Sequence, residues 1–180
     1  MSVHAAITVR RPLDEVYAYW SDLTNFPRFM AHVEQVTLAP DGTSHWRVSG
    51  PVGTHVEWDA RVVEADPPRL LRWESVGSAD VENSGTVRLT EAPADQGTEV
   101  RVEIDYRAPG GKVGELVARL FGEQPRQQVE DDLRRFKQVL ETGDIMRSEG
   151  SPEGTRAANQ VRQRTAEPVE QTPGGALGAG

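Results

Sequence analysis

Apolar and polar residues alternate in short stretches through the first 107 positions, and each stretch predicts a β-strand. The clearest runs from Glu99 to Arg107, where apolar side chains take every second position from Val100 to Tyr106. This pattern is typical of an antiparallel strand with one buried face and one solvent-facing face. The alternation predicts about seven strands in all, the first beginning at Val3.

Helical spacing replaces alternation directly after the first strand. Apolar residues recur at intervals of three and four from Leu13 to Trp20, and Pro12 suits the first turn of that helix. A second short helix is predicted through residues 26–30, with Thr24 or Asn25 as its N-terminal cap.

A longer helical stripe follows the last strand. It runs from Val113 to Phe121, is interrupted by Gly122 and Pro125, and then continues to a predicted end at Gly143. An apolar sheet face needs a cover, and this is the only large amphipathic element available. The pattern therefore predicts an α+β fold in which a curved antiparallel sheet surrounds a long C-terminal helix, with two short helices after strand 1.

Three tryptophans occupy apolar positions in the alternating pattern of their strands. Because strands direct alternate residues to opposite faces, Trp46, Trp58 and Trp73 are predicted to face the same side of the sheet. Aromatic side chains there either fill a core or line a hollow. A curved sheet that grips one helix often encloses a ligand site, so both interpretations stay open.

Composition changes after about Arg147. Residues 148–180 are rich in Gly, Pro, Glu and Gln, and their few apolar residues show no period. Such a segment buries too little apolar surface to offset its ordering entropy. We therefore predict one folded domain over residues 1–147 and a disordered tail over residues 148–180.

The chain has no cysteine, which excludes disulfides and thiolate metal sites. Its net charge is −8. Negative charge opposes contact with phosphate backbones, so no nucleic-acid partner is expected. No apolar run approaches the roughly 20 residues needed to cross a bilayer, and the N-terminus lacks a secretory signal pattern. These features predict a cytoplasmic protein without a transmembrane segment, and they leave the oligomeric state open.

Sites for metals and cofactors have no counterpart in the sequence. The four histidines lack metal-ligand spacing, and His4, His45 and His55 fall on the polar parity of strands. The segment around Gly110 and Gly111 lacks the glycine spacing of a phosphate-binding loop. Neither a metal nor a cofactor is expected.

Beyond these patterns, the chain resembles the START-like, helix-grip (SRPBCC) superfamily, within its polyketide cyclase/dehydrase or coenzyme-Q-binding group. Four segments carry the resemblance: Pro12-x-x-x-Val16-Tyr17-x-x-Trp20; Phe26-Pro27-Arg28-Phe29-Met30 with Val33-x-x-Val36; Glu57-Trp58-Asp59-Ala60; and Asp132-Leu133-x-x-Phe136-Lys137. The resemblance implies an apolar cavity between sheet and C-terminal helix that binds polyketides, isoprenoid quinones or other lipids. Relatives in the superfamily include lipid carriers, aromatase/cyclases and a ribosome-associated toxin.

The apolar positions of the predicted strands and helices, together with this resemblance, predict a set of ligand-binding residues. They are Trp20, Phe29, Trp46, Trp58, Trp73, Leu89, Val102, Tyr106, Phe121, Val129, Leu133 and Phe136.

Few side chains suited to catalysis occupy the strand positions that are predicted to face inward. Tyr106 is the candidate hydroxyl, whereas Asp132 borders the helical stripe, a position typical of a rim residue. Asp131 is predicted to pair with Arg135 on the outer face. An apolar site suits holding a guest better than transforming it, which favours a non-catalytic carrier or chaperone. The alternatives are a polyketide aromatase/cyclase or dehydrase, for which Tyr106 is the candidate, and a ribosome-associated interaction module, which the negative charge disfavours.

Overall fold

The structure is a computed structural model that describes residues 1–50, 53–107, 110–111, 114 and 125–143. Its strands are β1 (Ser2–Val9), β2 (Val33–Leu38), β3 (Ser44–Ser49), β4 (His55–Asp66), β5 (Leu70–Val76), β6 (Glu82–Glu91) and β7 (Thr98–Arg107). Its helices are α1 (Leu13–Ser21), α2 (Pro125–Thr142) and two 3-10 helices at Leu23–Arg28 and Pro93–Asp95. The predicted tail and Phe121 lie outside the described residues, so the domain boundary remains a prediction.

Within the described residues, seven strands form one antiparallel sheet in the order β1-β7-β6-β5-β4-β3-β2. The strands at its two edges, β1 and β2, are joined by α1 and the first 3-10 helix, which therefore pass from one edge to the other. The pairing register shifts at Val33/Gln35 and again at Val62/Glu64. Such bulges bend a strand and increase its twist, which helps the sheet to curve. The predicted α+β helix-grip architecture is confirmed.

The N-terminal cap of the second short helix differs from the prediction. The helix is a 3-10 helix that begins at Leu23, and Asp22 caps it by accepting a hydrogen bond from Thr24 N at 3.1 Å. Neither Thr24 nor Asn25 is the cap. A carboxylate is a good acceptor for the unpaired N–H groups of a first turn, and here it lies earlier than the apolar pattern suggested.

Hydrogen bonds join the C-terminal half of helix α2 to β1 and to the turn that follows β1. Arg11 donates from Nε to the carbonyl of Leu140 at 2.8 Å and from Nη2 to that of Glu141 at 3.1 Å. Lys137 Nζ donates to the carbonyl of Thr8 at 2.8 Å. A cation that satisfies the last carbonyls of a helix also interacts favourably with its dipole. The helix ends at Thr142, and Gly143 follows with a positive φ of 74°, in agreement with the predicted stop.

Phe136 lies at the centre of the core. It is fully buried, and its ring centroid is 4.9 Å from that of Trp20, 5.1 Å from Phe29 and 5.9 Å from Tyr19. Tilted and edge-on arrangements at these distances are favourable for aromatic pairs. One side chain of α2 thus packs against rings from α1 and against Phe29, which directly follows the first 3-10 helix.

Candidate ligand cavity

A cavity of about 120 Å³ lies among residues of the sheet, the short helices and α2. An apolar hollow of similar size holds one ring, such as benzene, so a larger guest would occupy it with one end only. Its aromatic lining consists of Trp20, Phe26, Phe29, Trp46, Trp58, Trp73 and Tyr106. Its aliphatic lining consists of Leu23, Met30, Val33, Ala60, Val81, Val102, Ile104, Pro125, Val129 and Leu133. The other lining residues are Ser44, Asn83, Gln128 and Asp132.

Two stacked indoles form one part of the wall. Trp46 and Trp58 are register partners on β3 and β4, and their rings are nearly parallel, 8° apart with centroids 6.0 Å apart. Trp46 Nε1 donates to Ser44 Oγ at 2.9 Å, and that hydroxyl donates to the carbonyl of Ala60 at 3.0 Å. Because these polar groups satisfy one another, the wall presents mainly apolar surface to the cavity.

A glycine makes room for the third indole. Trp73 of β5 pairs with Gly85 of β6, and a Cβ added to Gly85 would lie 2.1 Å from Trp73 Cζ2. The Trp73 ring therefore lies directly over the backbone of the next strand. Close approach of this kind is a common reason for glycine within a strand.

Asp132 is the ionisable carboxyl of the described lining. It is 5% exposed, and its Oδ1 accepts hydrogen bonds from Ala31 N at 3.3 Å and from Arg135 Nη1 at 2.8 Å. Burial raises the pKa of this carboxyl from 3.8 to about 6, although the bonds from Ala31 and Arg135 oppose the shift. A carboxyl that titrates near neutral pH inside an apolar cavity is a candidate functional group.

Two expectations about this helix are therefore corrected. Asp132 is a buried lining residue rather than a rim residue, because the loop at Ala31 covers it. Arg135 pairs with Asp132, whereas Asp131 pairs with Arg134 and Glu130 also lies near Arg134.

Tyr106 is the second ionisable lining residue. It is 8% exposed, burial raises the pKa of its phenol, and the hydroxyl donates to Met1 Sδ. The phenol is accordingly neutral at physiological pH. No group of three or more His, Cys, Asp or Glu side chains suited to a metal ion occurs within the described part of the chain.

The structure places most of the nominated residues around the cavity. Those that line it are Trp20, Phe29, Trp46, Trp58, Trp73, Val102, Tyr106, Val129 and Leu133. Leu89 and Phe136 do not line it, since both are fully buried in the core. Phe121 lies outside the described residues.

Parity reasoning missed three polar lining residues. Asn83 lies in β6, which begins at Glu82, and it faces the same side of the sheet as Gly85 and Val87. Ser44 precedes Trp46 by two positions, and that spacing alone was a sufficient signal. Gln128 carried no signal, because it adjoins the apolar stripe of α2 without belonging to it.

Comparison with known proteins agrees with this architecture. The model of the family described as polyketide cyclase/dehydrase and lipid transport matches residues 9–134. The chain belongs to this family. Among the described residues of this family member, no helix is long and apolar enough to cross a membrane.

Individual relatives are similar over most of their length. An uncharacterised 17.2 kDa protein of Streptomyces lincolnensis, from the melC2–rnhH intergenic region, is 32% identical over 77% of this chain and 89% of its own. A solved structure from Deinococcus radiodurans is 35% identical, with a TM-score of 0.65 over 79% of this chain and 98% of that one. The Zhui aromatase/cyclase from Streptomyces sp. R1128 is 18% identical, with a TM-score of 0.61 over 84% and 98%, and is similar in fold.

Gly85→Ala is expected to destabilise the protein by about 1–3 kcal/mol, because the new methyl group displaces the Trp73 ring. Urea unfolding measures the free energy, and tryptophan emission reports the altered wall. Gly110→Ala is the matched control, since nothing lies within 4 Å of its added Cβ and its change should stay within about 0.5 kcal/mol. Equal stability of the two variants would contradict the close packing of Trp73 on Gly85.

Asp132→Asn is expected to stabilise the protein above pH 6. The folded-state pKa is raised from 3.8 to about 6, so stability is lost as pH rises through this interval and the carboxyl ionises. The shift corresponds to roughly 3 kcal/mol as an upper limit, and the neutral amide avoids this loss. Thermal unfolding from pH 4 to pH 8 measures the difference, which should nearly vanish at pH 4.

Asp131→Asn is the control for this titration. Its side chain is 45% exposed on the outer face of the same helix. It should shift stability by less than about 1 kcal/mol at every pH, as surface ion pairs do. A pH-dependent gain in this variant that matched Asp132→Asn would assign the effect to net charge instead.

Proposed function

We propose that this protein binds a hydrophobic small molecule, such as a polyketide, isoprenoid quinone or lipid, in the cavity and carries it without chemical change. The observation that supports this most directly is the enclosing aromatic wall, whose polar atoms at Ser44 and Trp46 bond to each other. A guest that loses about 200 Å² of apolar surface to such a wall gains roughly 5 kcal/mol before the costs of association.

The polar side chains that line the cavity favour binding and transport of a guest over catalysis. Within the described lining there is no Lys, Arg or His, and the ionisable groups are Asp132 and Tyr106. Acyl transfer and cyclisation usually need several donors directed at developing negative charge. The described lining offers donors at Tyr106, Asn83, Gln128 and the indole N–H of Trp20, but apolar side chains make up most of it.

A neutral apolar dye tests the proposal. N-phenyl-1-naphthylamine should bind with enhanced fluorescence and energy transfer from tryptophan. Trp58→Leu removes the ring that stacks on Trp46 and is expected to weaken dye affinity about tenfold. Tyr17→Leu is the matched control, because Tyr17 is a half-buried aromatic outside the lining and its loss should leave affinity unchanged.

Two results would contradict the proposal. One is equal affinity of the Trp58→Leu variant and the parent protein. The other is a protein that binds no dye and, in native mass spectrometry and solvent extraction, carries no apolar species.

A second candidate function is the dehydration of a polyketide, as the family's description includes, and Asp132 favours it. A carboxylate with a pKa near 6 can remove the proton beside a ketone and then return it to a leaving β-hydroxyl, which releases water. Tyr106 would donate a hydrogen bond to the ketone oxygen.

Turnover separates the two functions. With a β-hydroxy polyketide substrate and mass-spectrometric detection of the loss of water, an enzyme should lose about 10²-fold or more in kcat on Asp132→Asn. Tyr106→Phe should reduce kcat as well, whereas Asp131→Asn should not. Absence of turnover by the parent protein, with dye binding intact, would leave the carrier function standing alone.

A further inference from the structure

The charged side chain in the described lining of the cavity is an anion. Asp132 is the charged side chain among the described lining residues, and no cationic side chain accompanies it there. Arg135, which pairs with Asp132, is itself absent from the lining. A guest therefore meets a carboxylate without meeting the cation that partly balances it.

The two oxygens of this carboxyl have different surroundings. Oδ1 accepts one hydrogen bond from the backbone N–H of Ala31 and another from Nη1 of Arg135. Oδ2 accepts no hydrogen bond from a side chain or backbone group of the described residues. Among the described residues, one acceptor of this buried carboxylate is thus left without a donor, and a guest could supply one.

We propose that Asp132 selects the guest by charge, so that the cavity accepts hydrophobic alcohols, phenols or amines and rejects hydrophobic carboxylates such as free fatty acids. This selection rests on the proposed binding function, and it adds the chemical class of the guest. A hydroxyl or ammonium group can donate to Oδ2, whereas a second carboxylate near Asp132 meets no cationic side chain among the described lining residues.

The physical scale of this effect is sufficient for selection. Juxtaposed like charges in a site of low dielectric constant repel each other strongly, and a like-charged guest would have to lose its own hydration as well. With the pKa of Asp132 near 6, the carboxyl is mainly ionised at pH 7.5. Even with Arg135 nearby, at least a tenfold preference against an anionic guest is expected.

Three probes of one shape test the proposal: 3-phenylpropanol, 3-phenylpropylamine and 3-phenylpropanoate. Each carries one ring and the same three-carbon chain, and they differ in terminal charge. Competition against N-phenyl-1-naphthylamine at pH 7.5 and 150 mM salt gives the three dissociation constants. The parent protein should bind the alcohol and the amine at least tenfold more tightly than the carboxylate.

Asp132→Asn should reduce this discrimination to within about threefold, because it removes the charge while keeping the size of the side chain. Since this variant is expected to be the more stable protein at pH 7.5, unfolding would not account for the change. Asp131→Asn removes the same charge from the outer face and should leave the discrimination intact.

Each other result has a defined meaning. Equal binding of alcohol and carboxylate by the parent protein would overturn the selection. So would discrimination that survives in Asp132→Asn or that falls equally in Asp131→Asn. Failure of the alcohol and the dye to bind at all would instead contradict the proposed function, so the two failures are distinguishable.

Discussion

The cavity depends on how Phe136 holds the helices against one another. Its fully buried ring contacts Trp20 from α1 and Phe29, which directly follows the 3-10 helix, while Arg11 binds the last carbonyls of α2. Phe136 itself does not line the cavity. Cavity lining and helix packing are therefore assigned to successive parts of one helix, with Val129 and Leu133 at the cavity and Phe136 in the core.

The aromatic wall follows from sheet geometry. Direct pairing of Trp46 with Trp58 brings two indoles together on one face, and Gly85 provides space for Trp73 on the next pair of strands. Large rings with few rotatable bonds keep a wall in shape with little loss of side-chain entropy. The hydrogen bonds through Ser44 then fix the Trp46 ring and pair its indole N–H.

Sequence patterns predict the fold and the apolar part of the site, because alternation and helical spacing determine which face of a strand or helix a residue occupies. They placed Trp58 and Trp73 correctly on the inward parity. They could not distinguish lining from core, which is why Leu89 and Phe136 were nominated together with lining residues. Nor could they locate Asp132, because its burial depends on Ala31, 101 residues earlier in the chain.

The charge on Asp132 pairs with Arg135, but the cost of burying it is the larger effect. Packing at this position requires an acceptor for Ala31 N–H, and a neutral amide oxygen would supply one. Ionisation instead opposes folding, as the raised pKa requires. A group that lowers stability while facing a cavity is more readily explained by what the cavity contacts than by what the fold needs. Under the proposed binding function, contact between the guest and Asp132 would then be the source of chemical selectivity in this apolar site.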